Sequence, residues 1–219
     1  MLFLESIQKV DTALLYAINC AYHPALDILF ATLSNTEFFY PVIALLSIAL
    51  ITLGKRRGLH LLAVILFILL ITDKALIWPM RKAVNRPRPH EVLPNIRSAI
   101  LELPRIQIGN KSHGIPVIPT LDRIRIEVSP PGQAEKPPPS SGRSFISGHA
   151  ATNMILAICT AAFFPSLAVP FYTWAFFIGY SRIYNGLHYP SDIFLGWFFG
   201  ALVSWGVLSL HRRCFPGVY

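Results

Sequence analysis

Ser181 to Asp192, reading SRIYNGLHYPSD, sets an arginine, a histidine and an aspartate between two strongly apolar stretches. Arg182 offers a planar fork of donors suited to phosphate oxygens. Pro190 fits the first position of a helix, so Asp192 falls in its first turn and reaches back to His188, four residues earlier. A carboxylate that accepts a hydrogen bond from Nδ1–H leaves Nε2 as a nucleophile and stabilises the cation formed when that nitrogen bonds phosphorus.

Two further clusters carry compatible chemistry. In SFISGHA, 144 to 150, Ser144 or Ser147 can cap a helix whose free backbone N–H groups around Gly148 face any bound anion, with His149 in the first turn. In RKAVNRPRP, 81 to 89, two prolines stop a helix while Arg81, Lys82, Arg86 and Arg88 gather positive charge at its end. Taken alone, each has a plainer reading. The arginines suit headgroup anchors that snorkel to the interface, and His149 suits an interfacial imidazole. Together the three clusters make an anion site with a nucleophile and a proton donor. They bring no carboxylate set for a metal pair, so guanidiniums take over charge neutralisation and the expected chemistry is phosphoryl transfer without metal or cofactor.

The elements that must hold these residues are membrane helices. The chain has 219 residues, 53% hydrophobic and only 14% charged, the composition of a polytopic membrane protein. A net charge of +8 comes without a basic recognition helix or zinc spacing, so nucleic acid is not an expected partner. Cys20, Cys159 and Cys214 are scattered and read as packing residues. The first residues lack the pattern of a removable signal peptide. A crossing needs about 20 mostly apolar residues. Runs from Phe38 to Gly54, Leu59 to Met80, Ala150 to Ser181 and Ile193 to Leu210 meet that need, the third as a hairpin broken by Pro165 and Pro170. Five spans follow, with a sixth open in residues 1 to 36, which read as apolar interfacial helices. The expected fold is an all-α polytopic bundle of five or six transmembrane helices. Its catalytic domain runs over 37 to 212 and its cytoplasmic tail over 213 to 219. Residues 90 to 143 hold half of the 18 prolines and read as a long extracytoplasmic loop over the catalytic mouth, with a strand in the alternating run 123 to 128. Lys55-Arg56-Arg57 and His211-Arg212-Arg213 fall on one side, which the positive-inside rule makes cytoplasmic. The three clusters then face out. Asp73 and Lys74, near a span end, read as structural.

The three clusters resemble the motifs of the type 2 phosphatidic acid phosphatase (PAP2) membrane lipid phosphatases, whose pattern is Lys-x6-Arg-Pro, Pro-Ser-Gly-His and Ser-Arg-x5-His-x3-Asp. The third motif matches in full as Ser181-Arg182, His188 and Asp192. The second matches as Ser147-Gly148-His149, with Ile146 in place of proline. The first matches at Arg88-Pro89, with Arg81 at the lysine position and Lys82 beside it. The resemblance implies that His188 forms a phosphohistidine, Asp192 orients it, and His149 protonates the leaving group and then activates water. Arg81, Arg88, Arg182, Ser147 and the Gly148 backbone would bind phosphate, with Lys82 able to share the lysine role. It implies a lipid phosphatase of the inner membrane, working on the periplasmic side without metal on lipid A 1-phosphate, undecaprenyl pyrophosphate or phosphatidylglycerol phosphate. The alternatives are a phosphotransferase using the same phosphohistidine and a non-catalytic headgroup-binding or transport protein.

Overall fold

A computed structural model describes residues 2–108, 111–129 and 143–218, so most of the proline-rich run 129 to 142 lies outside the described residues. The chain forms two compact units.

One unit comprises residues 42–85, 145–179 and 192–219. Its first helix, α3 (Tyr40–Ile71), is broken at Lys55, where φ is 46° and ψ −122°. Residues eight apart in a straight helix stand about 12 Å apart. Here a Cβ on Gly58 would run into the Leu50 carbonyl, so the two limbs double back on each other at the basic run. A π-helical turn, Thr72–Ile77, carries the second limb into α4 (Trp78–Val84), and Asp73 and Lys74 in that turn are exposed. α6 (Gly148–Phe163) and α7 (Ala168–Tyr184) are separated by a short 3-10 turn at Pro165, as the prolines require, and α8 runs over Pro190–Cys214. Leu61, Val64, Ile65 and Ile68 of α3, at helical spacing, bury against Ile155, Cys159 and Phe163 of α6 and Leu208 of α8. Gly196 and Gly200 bring α8 onto the start of α6. A Cβ on either would lie 2.7 Å from a carbonyl oxygen, of Ser147 and Ala151 respectively.

The other unit comprises residues 1–41, 86–144 and 180–191. It holds α1 (Leu2–Asn19), α2 (Pro24–Ser34), the short α5 (Pro89–Val92) and four strands. β1 (Arg97–Leu101) pairs antiparallel with β4 (Ile124–Val128), and β2 (Arg105–Ile108) with β3 (Lys111–Gly114). The protein is therefore mostly helical rather than all-helical. The loop segment gains a core by borrowing from α2: Ala99 and Leu101 of β1 bury against Ala31, with Phe38, Leu103 and Ile124 packed around them.

Among the described residues, Thr36–Val92 and Pro190–Cys214 are long and apolar enough to cross a membrane, and the bent pair Gln8–Asn19 and Pro24–Ser34 passes the same test jointly.

Candidate active site

His188 stands at the end of a turn that closes on itself. The carbonyl of Arg182, near the end of α7, accepts from Leu187 N–H (3.0 Å) and His188 N–H (3.3 Å), which returns the histidine to the arginine that precedes it by six residues. Gly186 makes the closure possible with φ of +60°, and any side chain there would strike Ile96. α2 anchors this turn. Arg182 Nη1 donates to the Ser34 carbonyl (3.1 Å), Asn185 donates to the Phe30 carbonyl (3.0 Å), and Tyr184 donates to Asp27 Oδ1 (2.7 Å). Burial, joined by the hydrogen bond to Asp27, pushes the Tyr184 hydroxyl up to about 12. Asp27 in turn holds Arg97 with contacts of 2.9 and 3.2 Å.

The His188 ring is 1% exposed, and its Nδ1 lies 2.8 Å from the Ser144 carbonyl. A carbonyl can only accept, so Nδ1 carries the proton and Nε2 keeps its lone pair. The structure thus places a main-chain oxygen at Nδ1. No residue type announces such a contact.

Arg88 opens α5, its N–H donating to Glu91 Oε2 (3.0 Å), while its Nε is buried with no acceptor. A buried cationic donor left unmet is costly. An anion arriving there would remove the cost.

In the unit built from α3, α4 and α6 to α8, the second motif gathers around Arg81. Arg81 Nε donates to the Ile146 carbonyl (3.0 Å), and a Cβ on Gly148 would sit 3.1 Å from Arg81 Nη2. The glycine is there because a guanidinium lies over it. Ser147 is the N-cap, its Oγ accepting from Ala150 N–H (3.4 Å), and its own N–H donates to the Asp192 carbonyl (3.1 Å). Those bonds bring the start of α6 to the first turn of α8. His149 follows in the first turn, half-buried. Asn153 donates to the His149 carbonyl (2.9 Å) and accepts from Trp174 Nε1 (2.8 Å). Lys82 does not join this group: its ammonium lies 5.4 Å from the centroid of the exposed Trp78 ring.

The fold defines a class, a mostly helical protein with apolar helices of membrane-crossing length. Residues 57–216 match the model of the PAP2 superfamily, and the chain belongs to that superfamily. It is 37% identical over 75 residues to the lipid A 1-phosphatase of Rhizobium johnstonii, covering 34% of this chain and 31% of the relative. A similar match to the Rhizobium etli lipid A 1-phosphatase also spans 31% of that relative, so the chain aligns with about a third of the length of both. Similarity to the lipid A 4'-phosphatase of Bacteroides thetaiotaomicron extends further, 25% identity over 92% of this chain and 77% of the relative. The fold is shared with the crystal structure of Aquifex aeolicus LpxE (TM-score 0.57, 24% identity, 90% of this chain and 94% of that one). It is shared as well with that of a PAP2-type phosphatidylglycerolphosphate phosphatase from Bacillus subtilis (TM-score 0.57, 18% identity, 95% and 87%).

Proposed function

We propose that this protein is an integral-membrane phosphatase that removes a terminal phosphate from a lipid phosphate or pyrophosphate through a phosphohistidine on His188. The observation that carries the reading is the His188 Nδ1 contact with the Ser144 carbonyl, which reserves Nε2 for attack. Nε2 bonds phosphorus as the bond to the lipid oxygen breaks, and the His149 imidazolium gives that oxygen its proton. Neutral His149 then takes a proton from water, whose oxygen displaces Nε2 and releases inorganic phosphate. Arg81, Arg88 and Arg182, with Ser147 and the Gly148 N–H, stabilise the charge on the phosphoryl oxygens. Asp192 stabilises the imidazolium. Three guanidiniums would repel a divalent cation, which supports a route that needs none. Lipid A phosphates lead the substrate list on the strength of the relatives, ahead of undecaprenyl pyrophosphate and phosphatidylglycerol phosphate.

The active face is the outer side of an inner membrane. Support comes from the His60 and His211 rings, whose nitrogens lie 3.1 Å apart. That contact draws the basic runs 55 to 57 and 211 to 213 to one end of their unit, opposite in α8 to the end that carries Asp192.

The test is phosphate release by purified protein in detergent with EDTA, from lipid A, undecaprenyl pyrophosphate and phosphatidylglycerol phosphate. Wild type should release phosphate from at least one lipid, and His188→Ala should release it about 10⁴-fold more slowly. Release by the variant at the wild-type rate, or complete loss of wild-type activity in EDTA, refutes the reading.

A further inference from the structure

Asp11 is a charged residue buried to 4% exposure on α1, outside the superfamily match and outside every motif. Three donors converge on its carboxylate. Oδ1 accepts from Ser191 N–H (2.8 Å), and Oδ2 accepts from Ser191 Oγ (2.6 Å) and Arg86 Nη2 (2.6 Å). Ser191 N–H is one of the first-turn donors that a helix cannot satisfy internally. The residue before it is proline, with no N–H to offer. The cap on the helix that follows His188 is therefore supplied by a side chain 180 residues away.

Arg86 completes the arrangement from two directions. Its side chain donates from Nη1 to Ser191 Oγ (2.9 Å) and from Nη2 to Gln8 Oε1 (3.0 Å), and its guanidinium lies 3.6 Å from the centroid of the Tyr189 ring. Its main-chain carbonyl accepts from Ser144 N–H (2.8 Å), and the Ser144 carbonyl accepts from His188 Nδ1 (2.8 Å). The two routes meet on one residue. Through Ser191 and Tyr189 the ion pair fixes the chain just after His188, and through Ser144 the Arg86 backbone fixes the ring itself.

We propose that Asp11 and Arg86 are positioning residues for the His188 nucleophile, acting through Ser144, Tyr189 and Ser191 rather than on the phosphate. The proposal rests on the phosphatase reading. A buried ion pair adds little net stability, because desolvation offsets its attraction. Its effect is geometric: a carboxylate with three fixed donors cannot shift without breaking one of them. Displacing a nucleophile by about 1 Å costs about 100-fold in rate.

The experiment measures kcat and KM for phosphate release in detergent, with the melting temperature of each variant. Asp11→Asn keeps the shape but faces an amide toward Arg86 and the Ser191 hydroxyl. It should lower kcat about 100-fold with KM within about twofold, in protein that still melts cooperatively. Arg86→Lys keeps the charge beside Asp11 but loses the fork and its stacking on Tyr189, and should lower kcat about tenfold with KM again unmoved. Wild-type kcat in either folded variant overturns the proposal. So does a rise in KM that accounts for the whole loss, since that would put the pair on the substrate. If Asp11→Asn does not fold, Arg86→Lys decides alone. An inactive wild type, or a His188→Ala variant as active as wild type, is instead a failure of the phosphatase reading and is visible before any Asp11 variant is made.

Discussion

Nδ1 of His188 and the Arg81 guanidinium each meet a main-chain carbonyl, Ser144 and Ile146, and that has consequences for single substitutions. In the proposed mechanism Asp192 stabilises positive charge as the imidazole becomes a phosphoimidazolium, and the Ser144 carbonyl gives Nδ1 an acceptor that a substitution of Asp192 leaves in place. Where a carboxylate alone sets a histidine's tautomer, changing it to the amide costs about 10⁴-fold. Asp192→Asn should cost less here, about 100-fold in kcat, and pre-steady-state phosphate release would read it directly. A loss near 10⁴-fold would mean that the carbonyl does not fix the tautomer. Arg81 and Lys82 form a sharper contrast, since only the first reaches Gly148. Arg81→Ala removes a donor proposed for the phosphate and should cost about 100-fold to 1,000-fold in kcat. Lys82→Ala removes a cation from above an exposed tryptophan and should stay within about twofold. Equal losses from the two would return the lysine role to Lys82.

At the scale of elements, the spacing of two motifs depends on how closely α8 approaches α6. Gly196 and Gly200 sit one turn apart within an apolar run, the small-xxx-small pattern that lets membrane helices bring their backbones together. What that pattern would approach is not written in the run itself. The approach is to the backbone of Ser147 and Ala151, flanking His149, and backbone cannot swing aside as a side chain can. Gly200→Ala should therefore force the helices apart, destabilising the protein by about 1–3 kcal/mol and lowering kcat about tenfold or more as the start of α6 shifts. Gly206, in the same helix, has no neighbour within 4 Å of an added Cβ. Gly206→Ala should raise stability by up to about 1 kcal/mol through helix propensity and leave kcat alone. Melting curves in detergent beside phosphate release for both variants test the pair, and a Gly200→Ala protein as active and stable as wild type would remove the helix contact from the account.

For the whole molecule, apolar run length and proline position announced the hairpin at Pro165 and the turn at Lys55, because both are local facts about which residues tolerate which backbone. The role of α1 and α2 was hidden, since periodicity tells that a face is buried but not against what, and Asp11 meets Ser191 across 180 residues. Strand β4 was legible from its alternation, whereas β1 buries Ser98 and Ala99 in succession and gave no period-2 signal. The rest of the candidate site rests on the family motifs, whose spacing is visible in one chain even where packing partners are not. The proposed orientation can be tested with the cysteines already present. Cys20 is exposed, and the preceding Asn19 donates to the carbonyl of Tyr184 (2.6 Å), which sets it at the level of the His188 turn. Cys214 is exposed at the far end of α8. A helix of 25 residues is about 37 Å long, more than the hydrocarbon core of about 30 Å. With the active face outward, a membrane-impermeant maleimide added to intact spheroplasts should label Cys20 and spare Cys214, and permeabilisation should add Cys214. Buried Cys159 should stay unlabelled until the protein is denatured. Labelling of Cys214 alone in intact cells would reverse the orientation and place the phosphate chemistry on the cytoplasmic leaflet, because the His188 turn travels with Cys20.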